Sequence, residues 1–217
     1  MIELISSAWE YFINRQDLMF EVLREHVLLV LWSTFFTVII GVPLGIAISK
    51  TEKLRDIVLG SVSILYTIPI LALFGFLIPM MGIGSTSALI ALIIYGLLPV
   101  IRNSCVGITQ VHPQLKESAR GMGANNMQLL FRVEIPLAFP VIFAGIRTAL
   151  VMNFSLATYA VFIGAGGMGR IIMQGIRTFN TGMMLAGILM VVITTVFLER
   201  LVGVVDNRIQ KHYSLSD

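Results

Sequence analysis

Charged residues are scarce in this sequence, so the places where they collect are where chemistry is to be sought. One is a long break in the apolar pattern, HPQLKESARGMGANNMQLLFRVEIPLAFP, His112 to Pro140, which carries Lys116, Glu117, Arg120, Arg132 and Glu134. Gly121 and Gly123 interrupt it, and Pro136 and Pro140 close it. A second place is Arg147, alone in an uncharged stretch; ionisable residues there are functional candidates by default, and this one is read as snorkelling to the membrane surface or as making a structural ion pair, with Glu199 a candidate partner. A third is GAGGMG, Gly164–Gly169, which has the outline of a phosphate loop. Such a loop needs Lys and then Ser or Thr after its glycines, and Arg170 and Ile171 stand there instead. Gly164, Gly166 and Gly167 are therefore read as allowing close backbone packing, with a gate as the further expectation.

Other chemistries find little support. No nucleophile–base pair stands out in the apolar stretches, which argues against an enzyme. His26, His112 and His212 fall in separate connections, so no metal site is expected. The single cysteine, Cys105, excludes an internal disulfide and any multi-cysteine metal centre. Net charge is +3, without a basic run, and that gives no reason to expect a nucleic acid partner. Trp32, Tyr66, Tyr95 and Tyr159 lie in apolar stretches, where aromatic faces can hold a quaternary ammonium by cation–π attraction or simply pack.

The elements that must position these residues follow from hydropathy. Of 217 residues 57% are hydrophobic and 12% charged, against roughly 25% charged in soluble domains. That marks an all-α polytopic membrane protein. A bilayer core needs about 20 apolar residues in helix, and five stretches supply them: Val27–Ser49, Ile57–Ile78, Thr86–Ile101 with help from Gly82–Ser85, Pro140–Gly164 and Met183–Val205. A sixth follows if Ile68–Pro79 breaks away as its own segment. Pro69 and Pro99 are read as kinks first and moving hinges second, and Gly41-x-x-x-Gly45 permits close helix contact.

Lys and Arg set the expected orientation. Lys50, Lys53, Arg55, Arg102, Lys116, Arg120, Arg132, Arg208 and Lys211 fall on one side of five spans, which is taken as cytoplasmic. Arg15, Arg24, Arg170 and Arg177 fall on the other. The N-terminus is then outside and the C-terminus cytoplasmic. Residues 1–26 form an external segment, with 2–22 suited to an interfacial helix through Ile2, Ile5, Trp9 and Phe12 or Ile13. Glu3 and Glu10 stand where a cleavable signal would carry positive charge. Residues 27–217 make one transmembrane domain, broken by a cytoplasmic loop at 102–139.

That loop reads as folded. Pro113 suits the first turn of a helix, and Gly121 and Gly123 can take the left-handed cap conformation. Asn125 with Gln128 has the form of a capping box opening a second helix, which Pro136 is expected to end. The pattern Glu117-Ser118-Ala119, Gly123, Val133, Ile135, Pro136 resembles the EAA motif of importer-type ABC permeases, with every spacing kept. Ser118, Val133 and Ile135 depart from it in ways that conserve size. VPLGIAIS, YTIPILALFGFLIPMMGIG, YGLLPVIRNSCVGI, ARGMG, FRVEIPLAFPVIFAGIRTA and IGAGGMGRII resemble the osmoprotectant branch of that family, which handles glycine betaine, carnitine and choline.

The resemblance implies an ABC type I importer transmembrane-domain fold in the cell membrane, in contact with lipid. It implies a second permease subunit, identical or not, two cytoplasmic ATPase subunits that hold ATP and Mg, and an external substrate-binding protein. No cofactor is expected on this chain. The 113–136 segment would be the ATPase-coupling element, through Glu117, Ser118, Ala119, Gly121, Gly123, Val133, Ile135 and Pro136. Tyr66, Pro69, Tyr95, Pro99, Arg147, Tyr159, Gly164, Gly166 and Gly167 are candidates for a pathway or gate. The alternatives are a same-fold importer for another small solute, such as an amino acid or betaine-like compound, and an ATP-independent secondary transporter. The last is expected to show paired broken helices in two halves, a symmetry the sequence lacks.

Overall fold

The structure, a computed structural model, describes residues 2–214, with side chains from 3 to 203. The basic tail at Arg208 and Lys211, and His212, lie outside the described side chains. In chain order the helices are α1 (Ile2–Asn14), α2 (Gln16–Ile48), α3 (Glu52–Thr67), α4 (Ile70–Met81), α5 (Ser85–Thr109), α6 (Pro113–Gly121), α7 (Asn126–Leu129), α8 (Ile135–Leu156), α9 (Gly169–Arg177) and α10 (Thr181–Ser214). A π turn, Leu130–Glu134, joins α7 to α8, and a 3-10 turn, Ala157–Ile163, extends α8.

Four helical stretches are long and apolar enough to span, and the bent pair α3–α4 makes a fifth if counted as one. That pair corrects the expectation of a continuous span at Ile57–Ile78. The chain turns by 97° between Thr67 and Ile70. Pro69 has no N–H to continue the ladder and drives Ile68 to ψ 125°, out of the helical region. The break is satisfied locally: Ile68 N–H reaches Leu65 O at 3.3 Å, and the Tyr95 hydroxyl donates to Ile68 O. At 12 residues, α4 reaches only about 18 Å, too short to cross alone.

Other boundaries shift as well. The first spanning helix begins at Gln16 rather than Val27, so the expected 1–26 segment splits into α1 and the opening turns of α2. Ala8 of α1 is buried with Met183 and Ala186 of α10, while Ile5 and Trp9 stay exposed. The third span runs on to Thr109 and takes Arg102 into a helix, which shortens the expected 102–139 loop at both ends.

The centre is a seam of α2, α5 and α8. Helices in lipid gain little from hydrophobic burial against one another and rely on close contact through small residues. Gly41 and Gly45 of α2 lie against Val100, Ile101 and Ser104 of α5, and Gly145 of α8 lies against Pro99 and Asn103. Polar side chains occupy the same seam: Ser33, Thr37 and Asn153 are fully buried, and Asn153 Nδ2 donates to Ser33 Oγ at 3.3 Å. Phe74, Leu92 and Phe154 complete the core.

Candidate functional site

At one end of the bundle, α6, α7 and the π turn form a small folded corner. Pro113 opens α6, and His112 Nδ1 accepts from Gln114 N–H at 3.4 Å. Gly123, with φ 84°, is the left-handed residue past the helix end. Its N–H reaches Arg120 O at 2.9 Å and the Ala124 N–H reaches Ala119 O at 3.0 Å, the paired bonds of a Schellman cap. Gly121 was expected to share the left-handed role and does not; it stays in the helix. The capping box forms as read, with Gln128 N–H to Asn125 Oδ1 and Asn125 N–H to Gln128 Oε1, both 2.9 Å.

Pro136 does not end the second helix, contrary to expectation. Leu130–Glu134 widens into a π turn, in which the Ile135 N–H bonds to Leu130 O. The wider turn absorbs the missing proline N–H and the ring clash with the preceding turn, so the helix runs on into α8. Of the motif residues, Ala119 is buried, Val133, Ile135 and Pro136 are half-buried, and Glu117, Ser118, Gly121 and Gly123 are exposed. Leu115, Met122, Met127 and Phe131 leave large apolar surface open around them. A hollow lined by Ala119, Gly123, Gln128, Arg132 and Val133 lies at the corner.

The corner is braced to the bundle by the residue before Glu117. Lys116 Nζ pairs with Glu134 at 3.1 Å and donates to Ile108 O at 3.1 Å, tying α6 to the π turn and to the end of α5. Glu134 is 8% exposed, so loss of Lys116 would strand a buried carboxylate. Lys116→Met is expected to loosen the corner and raise the protease sensitivity of the 110–125 segment several-fold. Lys116→Met/Glu134→Met should recover part of that loss of protection.

The other end carries the glycine loop. Gly167, with φ 76°, donates its N–H to Glu25 Oε2 at 2.9 Å. A Cβ on Gly167 would lie 3.1 Å from His26 Nδ1, and one on Gly166 would lie 2.5 Å from Glu25 Oε2. Close packing is thus the role of these two, whereas Gly164 has room for a side chain atom, its nearest neighbour being Ile83 Cγ2 at 3.5 Å. His26 was expected in a connection; it is fully buried in α2, with Nε2 3.0 Å from Phe154 O. A carbonyl can only accept, so Nε2 carries the proton. Glu25, His26, Ser33 and Asn153 were all missed. A rule already used on Arg147, that an ionisable residue in a span is a functional candidate, would have found the first two had α2 been started at Gln16.

The remaining candidates scatter. Arg147 Nη2 meets Glu199 at 2.7 Å, both about a third exposed beside Thr148, Met152 and Ser155. Tyr66 and Tyr95 face one another at 5.6 Å between ring centres, and Tyr66 donates to Met152 Sδ at 3.3 Å. Pro69 is at the α3–α4 break, Pro99 lies within α5 beneath Gly145, and Tyr159 stacks on Phe162, exposed. Among the described residues, no group of three His, Cys, Asp or Glu is placed to hold a metal.

Comparison with known proteins bears on the family and the fold. Residues 27–211 match the family described as binding-protein-dependent transport system inner membrane component. The carnitine transport permease protein OpuCB of Listeria monocytogenes is 40% identical over 185 residues, 85% of each chain. The glycine betaine/carnitine/choline transport system permease protein OpuCB of Bacillus subtilis is 36% identical over 185 residues, again 85% of each. The fold is shared with the membrane chain of an inward-facing MetNI methionine ABC transporter, with TM-score 0.83 and 24% identity, covering 90% of this chain and 98% of that one.

Proposed function

The chain belongs to the family of binding-protein-dependent transport system inner membrane components, and we propose that it is the permease of an ATP-driven importer for quaternary ammonium compatible solutes. It is a multi-pass inner-membrane protein with the transmembrane fold of ABC type I importers. The solute class is carried by one observation: relatives matching 85% of this chain are named for carnitine and for glycine betaine, carnitine and choline. ATP and Mg would be held by two separate ATPase subunits, a second permease subunit would complete the pathway, and a binding protein would deliver solute.

The α6–α7 corner would seat on the ATPase. Its support is chemical: a folded, charged element with open apolar side chains at Leu115, Met122, Met127 and Phe131 suits a protein partner better than water. The Lys and Arg bias supports a cytoplasmic corner, with the N-terminus outside. Reconstitution with the ATPase and binding protein should give ATP-dependent accumulation of radiolabelled glycine betaine, carnitine or choline. In the same vesicles a cysteine at Asn125, in a Cys105→Ser background, should label only from the ATPase side, and one at Asn180 only from the opposite side. Accumulation of an amino acid with none of these three solutes would overturn the solute class. Uptake without ATP would overturn the importer.

A further inference from the structure

Beside the glycine loop, a hollow of about 450 Å³ opens between α2, the start of α5 and Ala165. That is within the range of small-molecule sites, about 300–1,000 Å³. Its walls include Glu25, Leu28 and Trp32 from α2 and Ser85 and Thr86 from α5. Glu25 and Trp32 are two helical turns apart, which places them on one face about 10 Å apart along the axis, with Leu28 between.

The carboxylate at one end is fixed and uncompensated. Glu25 Oε2 accepts from Gly167 N–H at 2.9 Å, so the side chain is held against the loop. Among the described residues the ion pairs are those of Arg55 with Glu52 and Asp56, Lys116 with Glu134 and Arg147 with Glu199, and none reaches Glu25. Oε1 accepts no hydrogen bond from the described chain. The indole at the other end is 54% exposed and steadied by its own neighbours, with ring centres 5.8 Å from Phe35 and 6.0 Å from Phe36.

A half-buried carboxylate without a counter-ion is an attractive place for a cation. A strongly hydrated one would gain nothing from Leu28 or from the indole face, whereas a cation clad in methyl groups would gain from all three. We propose that this hollow is a receiving site for a quaternary ammonium head group on the permease itself, with Glu25 supplying charge and Trp32 the cation–π face. The proposal deepens the solute class proposed above and rests on it for its physiological ligand. It puts solute recognition on this chain, at the end opposite the coupling corner.

The test uses the permease–ATPase complex in nanodiscs of phosphatidylglycerol and phosphatidylethanolamine, with no binding protein. Trp32 emission is read as the difference between complexes carrying Trp9→Phe and Trp9→Phe/Trp32→Phe. Tetramethylammonium and choline should change it saturably and sodium at equal ionic strength should not. Glu25→Gln keeps an oxygen for the Gly167 N–H while removing the charge, and should weaken the response at least tenfold. No saturable response, or an equal one in Glu25→Gln, overturns the proposal. So does a response that appears only when phosphatidylcholine is in the disc and that soluble choline does not displace, because the site then belongs to a lipid head group. Tetramethylammonium binding without ATP-driven uptake of the three solutes would sink the proposed function and leave this site standing; uptake with a silent Trp32 would do the reverse.

Discussion

Glu117→Lys and Gly123→Val should abolish ATP-driven uptake while leaving the chain inserted in the membrane. The two act by different routes. Glu117 is exposed on α6 and has no ion-pair partner among the described residues, so its charge is free for a partner protein. Reversing it in a desolvated contact would cost about 2–5 kcal/mol, enough to lose the ATPase at working concentrations. Gly123 has open space where a Cβ would go, so any penalty is one of backbone conformation. At φ 84° a β-branched residue is strained by about 1–3 kcal/mol, and relief of that strain would break both bonds of the Schellman cap. Gly123→Asn, which tolerates the left-handed region, should keep most of the activity, and Glu117→Asp should retain a measurable part. Co-purification of the ATPase with each variant, beside radiolabelled uptake, is the measurement. Wild-type behaviour of both strong variants would reduce the corner to a surface hairpin.

Gly45→Val should prevent the chain from reaching a folded state at all. A Cβ at Gly45 would lie 2.6 Å from the Ile101 carbonyl oxygen and 2.6 Å from Ser104 Cβ, and the carbonyl is backbone that cannot rotate away. The α2–α5 seam would have to open along its length, and overpacking of this kind costs about 1–3 kcal/mol even where side chains can yield. The expected result is at least a tenfold fall in monodisperse protein extracted from membranes, with Gly45→Ala intermediate. Gly60→Val on α3 is the control, since nothing lies within 4 Å of a Cβ there. Equal yields from Gly45→Val and Gly60→Val would show that the seam is not where the fold is held.

What was legible in the sequence divides along the range of the interaction. Pro113, Gly123 and the Asn125–Gln128 box act within a few residues, and each does in the structure what its type requires. Pro136 was misread because a rule about one residue omits the neighbouring turn, which can widen to take the proline in. The start of α2 was obscured by Glu21, Arg24, Glu25 and His26, whose charge marks the end of a bilayer-length window but not the end of a helix. Arg147 and Glu199, 52 residues apart, could be named from sequence only as candidate partners, beside snorkelling of the arginine, and the fold brings them together. The Glu25–Gly167 bond joins residues 142 apart and left no local trace. The caps of the α6–α7 corner were thus readable, while its π turn and the far end needed the fold.

The helix that Pro136 fails to interrupt has a mechanical consequence. From Asn126 through the π turn, α8 and the 3-10 turn to Ile163 it is one stretch of 38 residues, roughly 57 Å long. Gly145 lies close to its middle, where a Cβ would meet Asn103 Cβ of α5 at 2.6 Å and Pro99 O at 2.8 Å, and nearer α7 a Cβ on Gly107 of α5 would meet Ala138 O at 3.0 Å. An element held at two points along one neighbour cannot pivot on it, and push at α7 would carry α8 and α5 together. Motion applied at the corner would therefore arrive beside Gly164 as a shift of the paired helices, through unbroken helix.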